Sequence, residues 1–241
     1  MKLLKLTPET LIDTLIEIRF TTEVPHEAIF GLLYSSLRNK YKKVSNSLLI
    51  PREILNQEQS FKYTITQKMF NDTLSLGAGA SVITFSCSSE YITWKNFFPS
   101  IKEDLEKIDK LNLISSIERI GLRYISFFEG HKSFIEKTNI NIKQSLDGYE
   151  NERMTLSTYL KGENNFDCNL AISSNIGIIE NSEEKNGGLI DIDISYQIPF
   201  EYNLNNLLDL IEKAHDEEKS IFLKTVKIDF LEEEYNAQFE K

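Results

Sequence analysis

Two short segments set charged residues into stretches that otherwise read as buried sheet. They are Ile16-Glu17-Ile18-Arg19-Phe20 near the start and Arg119-Ile120-Gly121-Leu122-Arg123-Tyr124-Ile125 mid-chain. Residues two apart on a strand share a face. Glu17 and Arg19 therefore stand together opposite Ile16, Ile18 and Phe20. Arg119, Gly121 and Arg123 stand opposite Ile120, Leu122 and Tyr124. A third alternating segment, 189–198, sets Asp191, Asp193, Ser195 and Gln197 against Ile190, Ile192, Ile194 and Tyr196. Such a pattern requires a sheet with its apolar side covered and its other side polar. The candidate binding row is Glu17, Arg19, Arg119, Arg123, Asp191 and Asp193, with Arg153, Ser157 and Tyr159 as additions from a hairpin.

The rest of the chain supplies the cover. In the first strand, over 11–20, Ile12, Ile16, Ile18 and Phe20 alternate with Asp13, Glu17 and Arg19. Pro25 and Glu27 suit the first turn of a helix carrying Ile29, Phe30, Leu33 and Leu37. Three strands are predicted near 61–70, 73–77 and 82–87, separated by Asn71-Asp72 and Gly77-Ala78-Gly79. A long helix over 93–111 presents Trp94, Phe97, Phe98, Ile101, Leu105 and Ile108 at three- and four-residue steps. The second half repeats this order. It reads as a strand over 116–128, a short helix over 131–137, an edge at 140–142, and a hairpin of 153–160 with 166–173. A polar loop over 180–188 leads to the strand 189–198, with Gly187-Gly188 as a turn. A helix then covers 204–222, and Thr225 can cap a last short one.

Strand, helix, strands, long helix, written twice, predicts an α+β protein. We expect an antiparallel sheet with helices on one face and two pseudo-repeats of about 1–112 and 113–241 within one globular unit. The order resembles the TATA-binding-protein fold at the level of topology, with a helix-grip sheet as the alternative.

Composition narrows the function classes. The 241 residues carry 37 acids against 27 bases, a formal charge of −10. Phosphate backbones repel such a field, so general nucleic-acid binding is disfavoured. Arg38, Lys40, Lys42 and Lys43 form the densest basic stretch, with Tyr34 and Tyr41 interleaved, and cations at a helix C-terminus explain it equally well. No apolar run reaches the ~20 residues of a membrane span. The residues at the start are too short and interrupted for a signal-peptide core. Cys87 and Cys168 read as reduced thiols of a cytoplasmic protein, and His26, His131 and His215 show no metal-ligand spacing. No catalytic residue, metal or cofactor is expected. His215, beside Asp216 and Glu217, reads as a surface histidine.

The pairing of Leu15-Ile16-Glu17-Ile18-Arg19-Phe20 with Arg119-Ile120-Gly121-Leu122-Arg123-Tyr124-Ile125 resembles a sporadically distributed bacterial family. Its strands read E-[IL]-R-F and R-[IL]-G-L-R-Y-[IV]-N, and its last long helix carries a histidine before a phenylalanine, as His215 and Phe222 stand here. Ser126 departs from the usual Asn. The resemblance implies a soluble bacterial protein of the kind found with mobile or defence-associated genes.

Enzymatic alternatives have thinner support. Tunnel-type triphosphatases open with Glu-x-Glu-x-Lys, and here Leu15-Ile16-Glu17-Ile18-Arg19 lacks the first carboxylate needed to share a metal. No G-x-S-x-G elbow occurs. The expectation is a non-enzymatic interaction or regulatory subunit, in toxin control or antiphage defence, binding a protein encoded nearby. A homodimer is a further expectation. The alternatives are a phosphate-ligand receptor or metal-dependent phosphohydrolase, and then a nucleic-acid binder.

Overall fold

A computed structural model describes residues 3–47, 61–88, 90–142, 147, 151–180 and 182–240. Among these residues the chain is α+β, with a mostly antiparallel ten-stranded sheet. The strands in chain order are β1 Leu3–Lys5, β2 Leu11–Thr21, β3 Lys43–Asn46, β4 Gln67–Phe70, β5 Leu74–Ala78, β6 Val82–Cys87, β7 Ser116–Glu129, β8 Met154–Lys161, β9 Phe166–Glu180, β10 Glu183–Tyr196, β11 Phe200–Glu201 and β12 Gln238–Phe239. The α-helices are α1 His26–Leu37, α2 Trp94–Asp109, α3 Leu204–Thr225 and α4 Ile228–Tyr235.

The sheet runs β3-β4-β5-β6-β2-β7-β10-β9-β8, with β11 against β7 and a separate β1-β12 pair.

The chain divides into two compact units. One comprises Thr14–Leu122 and Ser195–Ala214. In it the period-2 pattern of β2 buries Thr14, Ile16, Ile18 and Phe20, while Glu17 and Arg19 remain half-buried. Ile12, at the start of β2 and assigned to the other unit, is predicted to face inward but is exposed. The helical stripe of α2 buries Phe97, Phe98, Ile101, Leu105 and Ile108. Asp104 joins that stripe because α1 and its C-terminal extension supply partners. Lys40 Nζ donates to it at 2.7 Å and the Tyr41 hydroxyl at 2.5 Å. Tyr41 is fully buried. The expected basic and aromatic stretch is thus partly consumed in structure, and Lys43 pairs with Asp72.

The other unit comprises Met1–Asp13, Arg123–Ile194 and His215–Lys241. Its core includes Tyr124 and Phe128 of β7, Ile190, Ile192 and Ile194 of β10, and Phe230 and Tyr235 of α4. Phe128 stacks on Phe134 with ring centroids 4.4 Å apart and meets Tyr235 edge-on at 5.3 Å.

Several expectations in this unit are corrected. The predicted polar loop 180–188 is mostly strand. β9 runs to Glu180 and β10 begins at Glu183, and Ser182 between them has φ 69°; Asn181 lies outside the described residues. Gly187 and Gly188 are strand residues rather than a turn. A side chain at 188 would overlap Phe134, and one at 187 the Phe128 carbonyl. The short helix after β7 is one 3-10 turn, Phe134–Lys137, and 140–142 forms no strand. Thr225 ends α3 instead of capping α4, whose N-cap is Lys227.

Candidate functional site

The six predicted site residues fall into two sets, one in each unit. In the first, β2 and the start of β7 bring Glu17, Arg19 and Arg119 together. One oxygen, Glu17 Oε1, accepts from Arg19 Nε at 2.8 Å and from Arg119 Nη1. Glu17 and Arg119 are largely covered, whereas the Arg19 side chain is 32% exposed. Its guanidinium carbon lies 4.5 Å from the ring centroid of Tyr63, a cation–π contact that fixes the exposed end.

Gly121 serves this arrangement. The guanidinium of Arg119 lies over it, in space that a Cβ would fill. The glycine between two arginines is buried and covered by one of them, not left open to a ligand.

Three residues outside the candidate row complete the cluster. Lys62 Nζ donates to both oxygens of Glu118 at 2.8 Å, and the Tyr63 hydroxyl donates to Glu118 Oε2 at 2.9 Å. Burial pushes the Glu118 carboxyl up, but the Lys62 and Tyr63 hydrogen bonds and the Lys62 and Arg19 charges outweigh it, so it titrates below the ordinary range. Burial likewise opposes the charge on Lys62, and its bond to Glu118 reverses the sign. Three cations against two carboxylates leave the cluster one positive charge in excess. The predicted strand 61–70 begins only at Gln67, so Lys62 and Tyr63 lie outside it, and strand parity sets Glu118 opposite the Arg119 row; neither pattern brings these three residues into the candidate site.

In the second unit, Arg123 and Asp191 form a two-pronged pair, Nε to Oδ1 at 2.8 Å and Nη2 to Oδ2 at 2.6 Å. The geometry is the planar fork for which guanidinium is suited. The Asp191 bond raises the pKa of Arg123, against the cost of burial, and the charges of Asp191, Asp193 and Asp13 add to it. Here the acids are in excess. Arg123 is 45% exposed, and three of its five N–H groups lie outside the pair. The hairpin additions point elsewhere in role: Tyr159 donates to Asp167, and Arg153 Nε reaches the Asn175 carbonyl.

The same unit holds a buried polar group behind the arginine strand. Tyr124, next to Arg123, puts its hydroxyl 3.2 Å from Nδ1 of His215, with the rings edge-to-face at 5.8 Å. His215 is buried, not a surface residue. Glu218, one turn further along α3, is also buried, and desolvation pushes its carboxyl up to about 8 despite the neighbouring Lys219 charge. Cys168 is pushed up to about 12 by burial, then by Asp193, Glu218, Glu217 and Asp191. Such a thiol stays protonated and unreactive at neutral pH.

Among the described residues, no group of three or more His, Cys, Asp or Glu side chains could hold a metal ion. None of the described helices is long and apolar enough to cross a membrane. No protein-family model matches this chain, and no curated protein matches it.

Proposed function

We propose that this chain is a non-enzymatic interaction subunit that docks a partner protein through its charged strand residues. The cluster of Glu17, Arg19, Arg119, Lys62, Tyr63 and Glu118 would grip an acidic segment of that partner. The carrying observation is the state of Arg19. Its guanidinium is anchored by Glu17 and Tyr63 yet remains a third exposed, so little side-chain entropy is left to lose when an acceptor arrives. The excess positive charge favours an anionic contact. Together with the resemblance of the two arginine strands, this supports a cytoplasmic bacterial regulatory subunit of a toxin-control or antiphage system, with a partner encoded nearby.

The second reading, a receptor for a phosphate-bearing ligand, draws on the same cation excess. Metal-dependent phosphohydrolysis fits less well, because Glu17 would have to surrender two guanidinium bonds to become a ligand. Affinity capture separates these readings. Wild-type protein should retain one stoichiometric partner that the Arg19→Ala, Lys62→Ala double variant loses. Recovery of the chain alone, with a thermal shift induced by polyphosphate and abolished in the same variant, would favour the small-ligand reading. Retention of the partner by the double variant would remove the cluster from either role.

A further inference from the structure

The outer edge of β8 is built to pair, and we propose that its occupant is the β8 of a second copy, antiparallel about a two-fold axis at Thr158. β8 ends the strand order, so no described strand pairs its outer side. The Gly162 N–H donates to the Phe166 carbonyl, and the register continues through Leu160 with Cys168, Thr158 with Leu170 and Leu156 with Ile172. Bonded and non-bonded pairs alternate along an antiparallel ladder. The N–H and C=O groups of Thr155, Ser157, Tyr159 and Lys161 therefore point away from β9.

Natural edges are usually blunted by shortness, charge or proline. The other terminal strand conforms, since β3 has four residues and opens on Lys43. β8 runs eight residues with no proline and no charge between Arg153 and Lys161. Tyr159 is 50% exposed and Leu160 40% exposed. None of these residues belongs to the Glu17 or Arg123 clusters, so partner capture there and pairing here can fail separately.

A second copy fits this edge in one register better than in its neighbours. With Ser157 on the axis, Arg153 would lie opposite Lys161 of the other chain, a like-charge pair. With Tyr159 on the axis, Leu156 would face Gly162 and gain no side-chain contact. With Thr158 on the axis, Leu156 faces Leu160 twice, Thr158 faces itself, and Ser157 and Tyr159 exchange backbone hydrogen bonds. Lys161 then faces Thr155. The interface is isologous and closes at two chains.

Sedimentation of the full chain across a concentration series tests this, with two variants. Ser157→Pro removes an outward N–H without touching a β9 bond, and Thr158→Lys sets two like charges on the axis. Each should weaken dimerisation by roughly tenfold or more while leaving the thermal midpoint of the monomer in place. On a Cys87→Ser background, Thr158→Cys should cross-link on oxidation, because the axis pair is the close, non-bonded type. Leu156→Cys should not. A chain that stays monomeric throughout, with the 155–161 amides protected only by a foreign strand or by nothing, overturns the proposal. So does a dimer that survives both edge variants, or one that cross-links through Leu156→Cys instead of Thr158→Cys.

Discussion

Arg119 lays its guanidinium over Gly121, two residues further along the same strand, on its way to Glu17. Two motif residues that look independent in the sequence therefore work as one device. The missing side chain makes room for the ion pair.

Gly121→Ala should displace the far end of Arg119 and cost about 1–2 kcal/mol, the value of a charged hydrogen bond less relaxation. In an Arg119→Ala background the same substitution should be close to neutral, because the three atoms nearest to the added Cβ all belong to the Arg119 guanidinium. Urea unfolding of the wild type, both single variants and the double variant measures that coupling.

Carboxylates that look alike in composition should differ widely in worth. Glu17 is mostly covered and neutralises two guanidinium groups, so Glu17→Ala should cost about 2–4 kcal/mol by leaving those charges unmatched. Asp72 pairs with Lys43 at the surface, where the two side chains are 90% and 60% exposed, and Asp72→Ala should leave the unfolding midpoint unchanged. Paired denaturation curves check both.

Glu218 sets a pH dependence with a definite sign. Its carboxyl titrates near 8 in the folded chain, well above its unfolded value, so the native state holds a proton that the unfolded chain releases. The contribution of this residue to stability is unimpaired below about pH 4.5, falls as pH rises toward 8, and levels off above that. Glu218→Gln should flatten that slope in thermal midpoints measured from pH 5 to 8.5. An unchanged slope would assign it to other groups.

Glycines should respond oppositely according to their surroundings. Gly188→Ala meets Cβ and Cγ of Phe134, which the stack on Phe128 holds in place, and should cost about 3 kcal/mol or more. Gly31 lies within α1 with open space around it, and Gly31→Ala should raise stability by about 0.5–1 kcal/mol. Calorimetry of the two variants gives the contrast.

The alternation of β2, β7 and β10 and the stripe of α2 could be read directly, because each buries one face with a period the chain itself carries. That parity also grouped Glu17 with Arg19, and Arg119 with Arg123. It could not choose partners. Nothing local says that Glu17 serves both Arg19 and Arg119, or that Tyr63 lies under Arg19, because these are meetings of distant segments. The start of β10 was hidden for a related reason. Glu183-Glu184-Lys185-Asn186-Gly187-Gly188 has no apolar period, and its glycines answer to Phe128 and Phe134 more than fifty residues away. His215 is buried against the surface expectation, and the sequence holds a signal of it. Its acidic neighbours point away around the helix, while Ile211 and Phe222, four and seven residues off, share its buried side.

The adjacency of β2 and β7 at the middle of the sheet has a consequence for how the protein is made. Glu17 and Arg119 are 102 residues apart in sequence, so the innermost pairing closes one of the longest loops in its unit. During synthesis β2 waits, its flank bare, until the ribosome has released the residues of β7. A chain stopped before that point would display an apolar strand meant for the centre, and clumping of such truncated products is the hazard this architecture carries.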